Sequence, residues 1–126
     1  MNREKWKNKN FFEALKNSLK GIKYTFQNEK NLKIQSVFAI LATGVGVFLK
    51  LTCVEFCILF ITIGLVMFAE LINTAVEFML DLYSQEHSEN IKMAKDISSG
   101  AVLITSIISV LVGIALFLPK ILEEFL

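Results

Sequence analysis

Apolar positions dominate this chain in three blocks. Residues 34–49, IQSVFAILATGVGVFL, contain no charge, and neither do residues 56–69, FCILFITIGLVMFA. After Glu70 the second block stays apolar as far as Leu82. Residues 97–119 form the third, ISSGAVLITSIISVLVGIALFLP. A bilayer span needs about 20 predominantly apolar residues. The third block meets this alone. The second meets it when Glu70 and Glu77 are included, and the first when it begins near Lys33, whose long stem can carry its charge to the interface. A backbone in lipid must satisfy its own polar groups, so each block predicts a helix. The expected spans are about 33–49, 54–82 and 97–119, within a single domain over 1–126.

Ahead of them lies a different rhythm. In FFEALKNSLKGIKYTF, residues 11–26, Phe12, Leu15, Leu19, Ile22 and Phe26 recur at three- and four-residue spacing, with Lys16, Lys20 and Lys23 largely off that stripe. This predicts an amphipathic helix over about 11–27 lying on the membrane surface. The predicted fold class is an all-α membrane protein with three transmembrane helices and an N-terminal surface helix.

Composition agrees with the pattern. The chain has 126 residues, is 54% hydrophobic and holds one proline and six glycines. Its mean hydropathy is +0.56. A net charge of +1 excludes a general nucleic-acid binder. Nine of the thirteen Lys and Arg fall within residues 1–33. Basic flanks stay in the cytoplasm, so the N-terminus is expected there, with KLTCVE (50–55) as an outer turn and 82–96 as an inner loop. The first 33 residues hold no apolar core followed by a small-residue cleavage site, so no signal peptide is expected. Cys53 and Cys57 read as small apolar packing residues, because CxxxC without a nearby His lacks the ligands for a metal. The glycines of TGVG (43–46) and Gly64 are expected to permit close helix packing.

One segment breaks the pattern. FAELINTAVEFMLD, residues 68–81, places Glu70, Asn73, Thr74, Glu77 and Asp81 on one helical face. Glu70 lies about 10 Å deeper than Glu77 at ~1.5 Å per residue. An unpaired carboxylate near the bilayer centre costs about 2.5 kcal/mol or more, so this face must meet protein, water or a cation. Three readings fit: ion pairing in a helical assembly, a proton or solute pathway, or a metal–nucleotide site at the membrane surface. Carboxylates suit Mg²⁺, and a deep Glu suits a general base for a lipid hydroxyl. Glu29, Lys95 and Asp96 are expected at the same height, and Ser98, Ser99 and Gly100 are expected to open the third span with free N–H groups. No P-loop, protein-kinase or hydrolase motif is present.

The blocks ELINTAVEFMLD (70–81) and AKDISSGAV (94–102), with NEKN at 28–31, resemble the small integral-membrane diacylglycerol kinase family of bacteria. The resemblance covers about residues 10–120. It implies a homotrimer with active sites between subunits, in which MgATP phosphorylates a lipid alcohol. It implies Glu70 as general base and Glu29 and Glu77 as metal carboxylates. Nucleotide contacts would come from Glu29, Glu77, Glu86, His87, Ser88, Lys95 and Asp96, and lipid contacts from Glu70, Asn73 and Ser99. Ser88 stands where the family usually has a histidine. Gln35 stands where diacylglycerol-specific Gram-negative members have a glutamate, and FLPK (117–120) resembles the Gram-positive branch that includes undecaprenol kinases. The expected reaction is therefore phosphorylation of undecaprenol, with diacylglycerol as the alternative acceptor. A small assembly or transport subunit is the non-enzymatic alternative.

Overall fold

A computed structural model describes residues 3–83 and 88–126. After a short 3₁₀ turn at Arg3–Trp6 come four helices: α1 (Phe11–Asn28), α2 (Lys30–Phe48), α3 (Cys53–Tyr83) and α4 (Glu89–Phe125). The last three are each long and apolar enough to cross a membrane. The protein is thus an all-helical, multi-pass membrane protein preceded by an amphipathic helix.

Three of the four helices start on a side-chain cap. The Asn10 side chain caps α1 by accepting a hydrogen bond from the Glu13 N–H at 2.8 Å. Thr52 and Glu55 form a capping box at α3, each side chain accepting from the other's N–H, at 3.0 and 3.2 Å. Ser88 caps α4 through the N–H groups of Asn90 and Ile91. Between α1 and α2 the chain leaves helical geometry at one residue, Glu29, with φ −111° and ψ 113°. Its N–H still closes α1 on Thr25, while its carboxylate makes no cap bond to α2.

At the opposite end, α2 stops in a tight turn. Lys50 adopts φ 57°, and the Leu51 N–H returns to the Gly46 carbonyl at 3.0 Å, as a left-handed helix stop requires. Leu51 then folds back onto Gly46. A Cβ at 46 would lie 2.9 Å from Leu51 Cδ1 and 3.2 Å from Phe56 Cε1. Gly46 therefore permits the close approach expected of it, whereas a Cβ at Gly44 or Gly64 would meet nothing within the chain.

Helices α3 and α4 form the most extensive pairing, and α2 packs on α3. Leu51, Leu59 and Leu116 make the small apolar core, flanked by Ala42, Phe56, Ile63, Val112 and Phe117. An ion pair closes each end of the α3–α4 pair: Lys120 with Glu55 at 3.2 Å and Lys95 with Asp81 at 2.7 Å. Glu55 and Asp81 stand about 39 Å apart along the axis at ~1.5 Å per residue. The hydrocarbon core is about 30 Å thick, so both pairs fall at headgroup level. The interval between them is where most large apolar side chains of α3 and α4 are exposed.

The described helices run past their charge-free centres, and two expectations change with this. α4 begins at Glu89, so Ser98, Ser99 and Gly100 lie inside it. Their N–H groups belong to the helix ladder and leave no anion-binding terminus there. Pro119 does not end α4 either, because the helix continues to Phe125. Cys53 and Cys57 are free and exposed rather than packed within the chain.

Candidate active site

The buried residues of α3 are Leu59, Thr62, Val66, Ala69, Glu70, Asn73 and Thr74. Their three- and four-residue spacing makes one stripe, which turns from apolar to polar toward the end where α1 lies. Glu70 is the extreme case, with 1% exposure. The Thr74 hydroxyl is spent on the Glu70 carbonyl at 3.0 Å.

α2 brings the partners. Its first turn carries Leu32, 1% exposed, which anchors the junction. One turn on, Gln35 donates from Nε2 to Glu70 Oε2 at 3.4 Å, a long contact for a hydrogen bond. Asn31 is a second polar neighbour of Glu70. Two buried side-chain oxygens, Gln35 Oε1 and Asn73 Oδ1, have no hydrogen-bond partner. Such orphaned acceptors are rare in a folded protein.

Glu29, at the α1–α2 junction, and Glu77, two turns along α3, both lie close enough to Glu70 to interact with it electrostatically. Both are half-buried. Glu77 also acts on Lys95, which carries the string outward to Asp81. α4 would be about 55 Å long at ~1.5 Å per residue, far longer than a bilayer core, so Lys95 sits on its extension outside the apolar span. There the hydrogen bond to Asp81 holds the Lys95 ammonium above the usual lysine range. α1 roofs this region: Tyr24 meets Phe78 edge-to-face at 6.2 Å, and Thr25 is buried beneath.

The structure thus gathers Glu29, Glu70, Asn73, Glu77 and Lys95. Asp96 and Ser99 make no described contact with this group: Asp96 pairs with Lys92 at 2.8 Å, and Ser99 is exposed. Ser88 is the α4 cap. Glu86 and His87 lie outside the described residues. Gln35, Asn31 and Asp81 are the additions. Asp81 already stood on the acidic face of the second span and Gln35 against the family pattern, whereas Asn31 carried no signal of its own.

Among the described residues no group of three or more His, Cys, Asp or Glu side chains is arranged to hold a metal. Glu29 and Glu77 have the oxygen-ligand chemistry of Mg²⁺, which commonly takes one or two carboxylates and completes its shell with water and phosphate oxygens. An apolar cavity of about 430 Å³ runs between α2, α3 and α4; Gln35, which reaches Glu70, lines it beside Phe38, Val66 and Met67, and no acidic site residue does.

The fold and this site define a small helical membrane protein with a buried carboxylate in the second of its three apolar helices. Residues 16–117 match the family described as prokaryotic diacylglycerol kinase. The chain is 34% identical over 110 residues to the undecaprenol kinase of Bacillus subtilis, covering 87% of this chain and 89% of that one. It is 36% identical over 104 residues to a diacylglycerol kinase of Synechocystis, covering 82% of this chain and 59% of that longer one. To the diacylglycerol kinase of Escherichia coli K12 it is 32% identical over 94 residues, covering 75% and 77%. The chain belongs to the prokaryotic diacylglycerol kinase family. It is a lipid kinase, and a kinase requires a nucleotide co-substrate.

Proposed function

We propose that the protein transfers the γ-phosphoryl group of ATP to undecaprenol, with Glu70 as general base. The observation that carries this reading is a carboxylate 1% exposed, deep in a span, near enough to Glu29 and Glu77 for them to act on it and joined through Gln35 to an apolar cavity. The Bacillus subtilis relative, with near-complete mutual coverage, bears the name undecaprenol kinase. A neutral Gln35 at the cavity suits an acceptor whose only polar group is one hydroxyl. Diacylglycerol is the second reading, supported by the names of the Synechocystis and Escherichia coli relatives.

In this mechanism the lipid hydroxyl oxygen attacks the γ-phosphorus. Its O–H bond breaks toward Glu70, the new O–P bond forms, and the bond from the γ-phosphorus to the bridging oxygen breaks, releasing ADP. Asn73 orients the hydroxyl beside Glu70, and Ser99 contacts the lipid from α4. Lys95 spends one of its three donors on Asp81 and turns the others to phosphate. Asp96 and Ser88 are the proposed nucleotide contacts, and the family resemblance alone adds Glu86 and His87. Glu29 and Glu77 would hold Mg²⁺, whose chemistry when bound is to neutralise charge on the phosphates.

Three copies assemble in the bacterial plasma membrane with their N-termini in the cytoplasm. The family resemblance supports the trimer, and the basic first 33 residues support the orientation. The test is transfer of radiolabelled phosphate from ATP to undecaprenol and diacylglycerol, assayed in parallel with purified protein in detergent. Preferred labelling of undecaprenol is expected. Preferred labelling of diacylglycerol would establish the second reading, and labelling of neither would overturn the function.

A further inference from the structure

We propose that Gln35 is a positioning residue that supports Glu70 in both of its charge states, donating to the carboxylate before proton transfer and accepting from the carboxylic acid afterwards. This rests on the reading of Glu70 as the base.

The geometry poses a problem that one residue type answers. Glu70 is cut off from solvent at 1% exposure. As a carboxylate it can only accept hydrogen bonds; once it has taken the hydroxyl proton it also has an O–H to place. A partner that only donates serves the first state, and one that only accepts serves the second. A side-chain amide does both. Gln35 Nε2 already faces Glu70 Oε2 at 3.4 Å. Its Oε1, on the same planar group, is buried without a partner. Rotation about the last side-chain bond, a broad and soft torsion, exchanges oxygen and nitrogen toward Glu70.

The unpartnered oxygen is thus the vacancy that the protonated base fills. Asn73 Oδ1, the other orphaned acceptor, offers a second place for the same O–H from within α3. The amide is neutral at working pH, so it does not compete for the proton. Gln35 also lines the apolar cavity, where its orientation can follow the arrival of the lipid hydroxyl. The proton balance is closed: it leaves the hydroxyl as the O–P bond forms, resides on Glu70 facing Gln35, and passes to water after product departs.

The experiment compares wild type with Gln35→Met, which keeps the length and removes both hydrogen-bonding functions. It also includes Gln35→His, whose neutral ring has one donor and one acceptor, and Glu70→Gln. For Gln35→Met, kcat for lipid phosphorylation is expected to fall about 10- to 100-fold, with KM for ATP and lipid within about twofold. The solvent deuterium isotope effect on kcat should rise, because proton transfer becomes slower than the steps that follow. Gln35→His should keep most of the activity. A wild-type kcat in Gln35→Met overturns the inference. So does a loss that raises both KM values and leaves the isotope effect unchanged, which marks a packing defect. If Gln35→Met does not fold, Gln35→Ala is judged by the same split. Retained phosphorylation in Glu70→Gln sinks the base assignment itself; an inactive Glu70→Gln beside a normal Gln35→Met sinks the Gln35 role alone.

Discussion

In the proposed mechanism Glu70 carries the chemistry because of where it is. An ionisable group this deep is costly, and the structure surrounds it with Gln35, Asn31, Glu29 and Glu77. Each neighbour has a separable expected effect. Glu77→Gln should raise the Mg²⁺ concentration needed for half-maximal activity at least several-fold, read from Mg²⁺ titrations of initial rate, and leave lipid KM near wild type. Removing Mg²⁺ with a chelator should stop turnover reversibly. At this scale the sequence was legible where a charge interrupts an apolar run: Glu70 and Glu77 stand out against LINTAV and FML. Gln35 was visible only as a departure from a family pattern, since an uncharged amide disturbs hydropathy little. Its contact with Glu70 spans 35 residues of chain, which no local pattern reports.

Among the elements, α3 and α4 were readable in outline because hydropathy marks the part of a helix in lipid. It does not mark where a helix begins. The first turns of α4 are polar, and their start is set by the Ser88 cap. Placing the start at Ser98 therefore assigned free N–H groups to residues that sit inside the ladder. Ser88→Ala should weaken the first turn by about 1 kcal/mol, seen as faster amide exchange near Asn90 and Ile91 with the apolar centre unchanged. The α2–α3 turn gives a sharper test. Gly46→Leu adds a side chain where even a Cβ would stand 2.9 Å from Leu51 Cδ1. It should prise Leu51 from its pocket and lower the thermal midpoint by several degrees in detergent. Gly44→Leu, at a position where an added Cβ meets nothing in the chain, should leave the midpoint near wild type.

Across the described residues, two ion pairs frame the apolar belt, and Glu29, Glu70, Glu77 and Asp81 lie toward one end. With basic residues concentrated in the first 33 positions, that end is proposed to face the cytoplasm. A single cysteine at position 50, in a background of Cys53→Ser and Cys57→Ser, should react with a membrane-impermeant maleimide in intact cells. A cysteine at position 23 should react only after permeabilisation. Assembly was the least legible level. A helix face exposed in one chain can meet lipid or a second copy equally well, and the same apolar side chains serve both. A native mass of three chains in nanodiscs is the expected result.

The most direct test of the account is single-turnover phosphoryl transfer by Glu70→Gln, with nucleotide binding measured on the same sample. The account predicts that lipid phosphorylation falls about 10²- to 10⁴-fold while ATP affinity stays within a few-fold of wild type. Transfer to lipid at the wild-type rate would contradict it.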